Sequence, residues 1–170
     1  MNDKQTVGYS RLQITLHWLI AALVIFQLIF GEGMTNVRDA IEEGGTSSTI
    51  DFVVSIGHYW LGIAILTLVV VRLGLRITRG VQQRPVATHT WMDWAANVLH
   101  CAFCLMLFAM PVLGLLTIYA SESFGDIHTL GKPVFIVLIT VHVVAALFHQ
   151  FVKRDGTLGR MLVLARKANS

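Results

Sequence analysis

An all-α integral membrane protein, built as an up-down-up-down bundle of four helices, is the fold this sequence predicts, and three observations predict it. The 170-residue chain is 55% hydrophobic and only 14% charged, with a mean hydropathy of +0.66, whereas a soluble domain carries about one quarter charged residues. The apolar residues gather in four long runs, with the charges pushed between them. Each run supplies the roughly 20 residues that a helix needs to cross ~30 Å of hydrocarbon at ~1.5 Å per residue. Barrel strands would instead alternate in segments of about ten. Composition thus excludes a disordered chain, a disulfide scaffold and an ordinary cytosolic domain.

The first run, residues 12–31, is too long for a secretory signal, holds His17 and Trp18, and has no convincing small-residue cleavage site before Glu32, so it reads as a retained span. From Glu32 to Asp51 the chain contains Gly44, Gly45, Thr46, Ser47, Ser48 and Thr49 and reads as a flexible loop. The second run covers 52–75, and the connection around Arg79 to Thr90, with Gly80 and Pro85, is the loop on the opposite side. The third and fourth runs cover 94–119 and 133–152. Pro133 favours a first helical turn, which puts His128 in a bent or separate turn. No repeat or second domain is visible, so residues 1–170 form a single membrane domain.

Orientation follows from the basic residues. Lys4 and Arg11 precede span one; Arg72, Arg76, Arg79 and Arg84 lie at or after the end of span two; Lys153, Arg154, Arg160, Arg166 and Lys167 follow span four. Both termini and the middle loop are therefore expected on the cytoplasmic side of the membrane. The other loops hold Glu32, Asp39, Glu42, Glu43, Asp51, Glu122 and Asp126 against Arg38 and Lys132, which predicts an acidic periplasmic face. The isoelectric point of about 9.1 reflects this asymmetry and indicates topology and lipid contact rather than nucleic-acid binding.

The chemistry lies in the histidines. His17, His58, His100, His142 and His149 fall within or at the ends of spans, and His128 just precedes span four. An ionisable side chain at membrane depth is costly, and so many are hard to explain by helix-to-helix hydrogen bonding. His128 and His142 are fourteen residues apart, about 21 Å of helical rise and four turns less roughly 40°, so both point to one face, and His149, seven further on, returns to nearly the same face. By depth, His17 and His142 can face each other near the inner leaflet, and His58 and His128 near the outer leaflet. Geometry alone also permits a His17–His100 or a His100–His142 pair.

Two imidazoles on facing helices are what six-coordinate b-type haem iron requires, since the porphyrin supplies the other four nitrogens. Zinc or di-iron would want carboxylates or thiolates at the same depth, which the spans lack almost entirely. Cys101 and Cys104 are not followed by the histidine of a covalent haem site and read as small buried residues of span three.

Tyr9-Ser10-Arg11-Leu12 leading to Ile14 and His17-Trp18, Gly57-His58, Arg72-Leu73, His100 ahead of Pro111-Val112-Leu113-Gly114, and His128, His142 and His149 ahead of Lys153-Arg154-Asp155-Gly156-Thr157-Leu158 resemble the bacterial cytochrome b561 family of di-haem proteins over nearly the whole chain. That resemblance implies two haems b stacked across the membrane and electron exchange with the quinone pool. The best-defined member oxidises superoxide while reducing ubiquinone, so a superoxide:quinone oxidoreductase is the enzyme activity implied. It also implies His17 and His142 as the axial pair of the inner haem, His58 and His128 as that of the outer haem, and propionate or quinone contacts for His100 and His149. Two departures stand against superoxide as donor: the connection from Ala120 to Lys132 is short, and the outer loops are acidic, although Lys132 and Arg38 can form a local positive spot.

Trp18, Trp60, Trp91 and Trp94 near the span ends read as interfacial anchors. Arg72 and Arg76 read as snorkelling residues, with a propionate contact as the sharper alternative. Ser10, Arg11 and His149 at the inner surface offer hydrogen-bond donors and a proton source for a quinone. The reading admits lipid, ubiquinone or another quinone, a periplasmic redox partner and a second copy of the chain as partners. Two alternatives remain: a relay subunit anchoring a periplasmic hydrogenase or dehydrogenase, and a haem-free proton-relay transporter, for which intramembrane acids and broken helices are lacking.

Overall fold

The computed structural model describes residues 11–79 and 91–154. It is all-helical in the order α1 (Arg11–Phe30), α2 (Glu32–Glu42), α3 (Thr49–Arg79), α4 (Trp91–Tyr119), α5 (Ser123–Thr129) and α6 (Gly131–Phe148), closing on a π-helical turn (His149–Lys153). Four stretches among the described residues are long and apolar enough to cross a membrane: 11–42, 49–75, 94–119 and 123–153. The middle connection from Gly80 to Thr90 lies outside the described residues, as do Lys4 and the basic residues after Arg154.

The expected loop from Glu32 to Asp51 is largely ordered. α2 ends in a glycine turn: Gly44 sits at φ +69°, its N–H donates to the Ile41 carbonyl, and the Gly45 N–H donates to Ala40, the pattern that satisfies orphan helix carbonyls. Ser48 then caps α3, its Oγ accepting from the Asp51 N–H at 3.1 Å and donating to the Asp51 carboxylate at 2.6 Å. Asn36 donates to the other Asp51 oxygen at 3.0 Å and ties α2 to α3. Glycine and serine at these positions terminate and start helices, which a composition-based reading mistakes for flexibility.

Between α5 and α6 only Leu130 intervenes. Pro133, the third residue of α6, has no N–H to give to the Thr129 carbonyl, so the helical ladder is interrupted there. His128 accordingly occupies a separate short helix, as the proline predicts.

α1 packs on α3, α3 on α4, and α4 on α6. The core is a mid-bundle cluster of Ile20, Val24, Ile65, Val69 and Phe135, with Phe103, Met106, Leu107 and Met110 of α4 against it. On the spanning helices this apolar layer falls between His17 and Gln27 on α1, His58 and Arg72 on α3, His100 and Gly114 on α4, and His128 on α5 and His142 on α6. Ile65 is 4% exposed while Leu105 is 68% exposed, because the outward face of the bundle meets lipid and stays apolar. Cys101 and Cys104 lie on that outward stripe, free and exposed, not buried as expected; residues three apart share a helix face, and this one points away from the core. Trp60, Trp91 and Trp94 are likewise exposed, in keeping with interfacial anchoring.

Candidate functional site

The folded chain brings histidines together at both ends of the bundle. At the end bearing Arg11 and Lys153, here the basic end, α1 runs inward for two turns before presenting His17, and α6 presents His142 on the facing side; their ring centroids are 6.3 Å apart. At the opposite, acidic end, α3 presents His58 and α5 presents His128, with centroids 5.9 Å apart. An iron at about 2 Å from one nitrogen of each ring sets the centroids roughly 6 Å apart, so both pairs fit axial ligation of a haem. Among the described residues no group of three or more His, Cys, Asp or Glu converges on a bare metal ion. A macrocycle bringing its own four nitrogens suits such a donor set.

The surroundings of the two pairs differ. His128 Nδ1 lies 3.0 Å from the Met110 carbonyl; a carbonyl only accepts, so Nδ1 carries the proton and Nε2 is left with its lone pair for a metal. Gly114, one turn further along α4, lets the imidazole lie against the helix, since a Cβ there would stand 3.2 Å from His128 Cε1. His58 Nδ1 is buried with no hydrogen-bond partner among the described residues, as is Gln27 Oε1. Gln27 Nε2 donates to the His58 carbonyl at 2.8 Å and fixes α3 against α1 beside the pair. Gln27 is a residue that sequence reasoning missed, and an amide set among apolar residues in the second half of span one was the available signal.

At the basic end, Arg72 turns inward instead of snorkelling: one guanidinium nitrogen lies 3.2 Å from His17 Nδ1. A guanidinium only donates, so Nδ1 accepts. His100 joins the cluster, its ring centroid 5.9 Å from that of His142, and Phe103 stacks edge-on to His142 at 5.4 Å. The structure therefore leaves His142 with two imidazole neighbours.

Of the residues expected to bind quinone, Ser10 lies outside the described residues, Arg11 is exposed at the start of α1, and His149 is half-buried where the π turn begins. π turns are often found at functional sites. Gln150, the next residue, holds a buried carbonyl oxygen without a hydrogen-bond partner among the described residues. A cavity of about 330 Å³ between α1 and α6 is lined by Ile25, Leu28, Ile29, Ile136, Ile139 and Thr140. Its one hydroxyl, on Thr140, donates to the Ile136 carbonyl, so that cavity suits an acyl or isoprenoid chain better than a polar headgroup. At the acidic end Arg38 pairs with Glu42 at 2.7 Å and Lys132 with Glu32 at 2.5 Å. The expected positive spot is thus neutralised by glutamates.

Spanning helices with imidazoles facing one another inside the bundle describe a membrane haem protein. Comparison with known proteins identifies the family: the chain belongs to the prokaryotic cytochrome b561 family, which it matches over residues 8–163. It is 37% identical over 162 residues to cytochrome b562 of Cereibacter sphaeroides, covering 93% of this chain and 97% of that protein. It is 27% identical over 177 residues to the probable superoxide oxidase CybB of Yersinia pestis (91% and 95%), and 26% identical over 176 residues to cytochrome b561 homolog 1 of Escherichia coli (91% and 96%). The protein is accordingly a bacterial membrane cytochrome with haem b as its cofactor.

Proposed function

We propose that this chain is a di-haem cytochrome that moves electrons between a donor on its acidic, periplasmic side and the quinone pool at its basic, cytoplasmic side. The observation that carries the proposal is the pair of imidazole couples, with centroids 6.3 Å and 5.9 Å apart, at opposite ends of one bundle. His17 and His142 hold one haem and His58 and His128 the other. When bound, the haems supply reversible one-electron chemistry.

The protein's residues do the rest. The Met110 carbonyl orients His128, and Gln27 anchors the backbone at His58. The layer of Ile20, Val24, Ile65, Val69 and Phe135 excludes water between the two ends. At the basic end, Ser10, Arg11 and His149 bind the quinone headgroup, and the His149 imidazole delivers a proton because it can change charge near neutral pH. Lipid surrounds the bundle, and both termini face the cytoplasm, the side that collects the arginines and lysines.

The acidic end decides between donors. Its two cations are each tied to a glutamate, and its remaining acids are Asp39, Glu43, Asp51, Glu122 and Asp126. A surface of that sign repels an anion such as superoxide and attracts a cationic partner. Although one relative is named as a probable superoxide oxidase, the acidic face favours a second reading, in which this chain relays electrons from a periplasmic redox protein. A pyridine haemochrome assay on the purified chain, followed by quinone reduction with superoxide or an artificial donor, tests both. Two haems b per chain with slow superoxide-driven turnover is the expected result. Fewer than two haems overturns the di-haem reading, and fast superoxide turnover removes the case for a protein donor.

A further inference from the structure

The fourteen-residue interval from His58 to Arg72 on α3 equals that from His128 to His142, about 21 Å of rise on nearly one helix face. α3 therefore places an imidazole at the acidic-end pair and a guanidinium at the basic-end pair. Arg72 contacts His17 directly at 3.2 Å, and the His142 ring lies 6.3 Å from that of His17, centroid to centroid. The corresponding neighbour of His128 is the Met110 carbonyl oxygen, the negative end of a dipole, and Asp51 lies about two turns before His58 on α3, toward that end of the bundle.

We propose that Arg72 sets the direction of electron transfer, by raising the midpoint potential of a haem held between His17 and His142 above that of one held between His58 and His128. The inference rests on the di-haem reading above. Ferric bis-imidazole haem carries one more positive charge than the ferrous form, so a guanidinium a few ångströms away, in a medium of low dielectric, favours the ferrous form. The hydrogen bond at the other end acts in the same sense: donating to the Met110 carbonyl makes His128 the more basic ligand and favours the ferric form there. When the His17 ring gives Nε2 to iron and Nδ1 takes up the proton, the guanidinium turns from the nitrogen but its charge stays at that end of α3. In a chain holding one electron, the acidic-end centre is oxidised and the basic-end centre reduced, with no bond or proton moving.

Arg72 is a positioning residue for charge, so its test reads a potential. Spectroelectrochemical titration of the full chain in detergent is compared with that of His128→Ala and of His142→Ala, which isolate the basic-end and acidic-end haems respectively. Isolated in this way, the basic-end haem has the higher potential. Arg72→Gln, which keeps a hydrogen-bond donor but removes the charge, shifts electron partition at least tenfold toward the acidic end, about 59 mV for a one-electron couple, while Arg72→Lys restores it. An unchanged basic-end potential in Arg72→Gln, or an equal fall at both centres, overturns the inference and leaves the di-haem reading standing. Should Arg72→Gln fail to accumulate, an acidic-end potential equal to or above the basic-end one in the single-haem variants overturns it equally. A wild-type chain with fewer than two haems instead shows failure of the underlying reading.

Discussion

At the basic end His142 meets His17 at 6.3 Å and His100 at 5.9 Å, with a guanidinium against the first ring; at the acidic end His58 and His128 meet at 5.9 Å beside a backbone carbonyl and a glycine. The ring spacings are nearly the same, and the environments differ: a cation stands against one pair and a neutral carbonyl dipole against the other. Spacing decides which cofactor a pair can take, because iron–nitrogen bond lengths leave little latitude. Surroundings decide what that cofactor then does, because potential and proton affinity follow local charge and hydrogen bonding. On the di-haem reading proposed above, one bundle would in this way hold two chemically identical groups and keep them functionally distinct.

The severest way to break the comparison is to remove a ligand. His58→Ala or His128→Ala is expected to lower haem content from two to one per chain by the pyridine haemochrome assay, sparing the basic end, and His17→Ala or His142→Ala to do the reverse. Two haems persisting in His128→Ala would assign the outer iron to another side chain. A subtler lesion at one end is Gly114→Val. The Cβ alone stands 3.2 Å from His128 Cε1, and the added methyls push the ring off α4, so this variant is expected to lose most acidic-end haem while Gly114→Ala loses little. Equal occupancy in the valine and alanine variants would show that the ring does not need that surface.

Smaller effects separate chemistry from cofactor binding. His149→Ala is expected to keep both haems and their reduction by an artificial donor, yet slow electron delivery to quinone at least tenfold, about 1.4 kcal/mol in activation free energy. Unchanged quinone reduction in both His149→Ala and Arg11→Ala would move the quinone site elsewhere. The mildest expectation concerns the third imidazole. His100→Ala should retain two haems and alter only the basic-end absorption spectrum or potential; loss of that haem would make His100 a ligand in place of His17 or His142.

Much of the fold was legible because lipid imposes a simple rule: a helix crossing hydrocarbon must be apolar for about 20 residues, and charges must lie beyond it. The region from Glu32 to Asp51 escaped that rule. It lies outside the four apolar runs, where Gly44 and Ser48 act as helix stop and start signals, and only hydrogen bonds to Ala40 and Asp51 reveal it. Arg72 was misread for a related reason, since a terminal arginine usually reaches for the surface, and this one finds His17 instead.

By itself the sequence determined the number of spans, their periodicity and the depth of each histidine, because these depend on helical rise and hydrophobicity along one chain. Which histidines face each other, that His142 has two imidazole neighbours, and that an arginine and a carbonyl distinguish the two ends were decided only in the tertiary structure. Those relations depend on how each helix is rotated about its axis, and rotation is settled by packing Ile20, Val24, Ile65, Val69 and Phe135 into one core, a condition involving several helices at once.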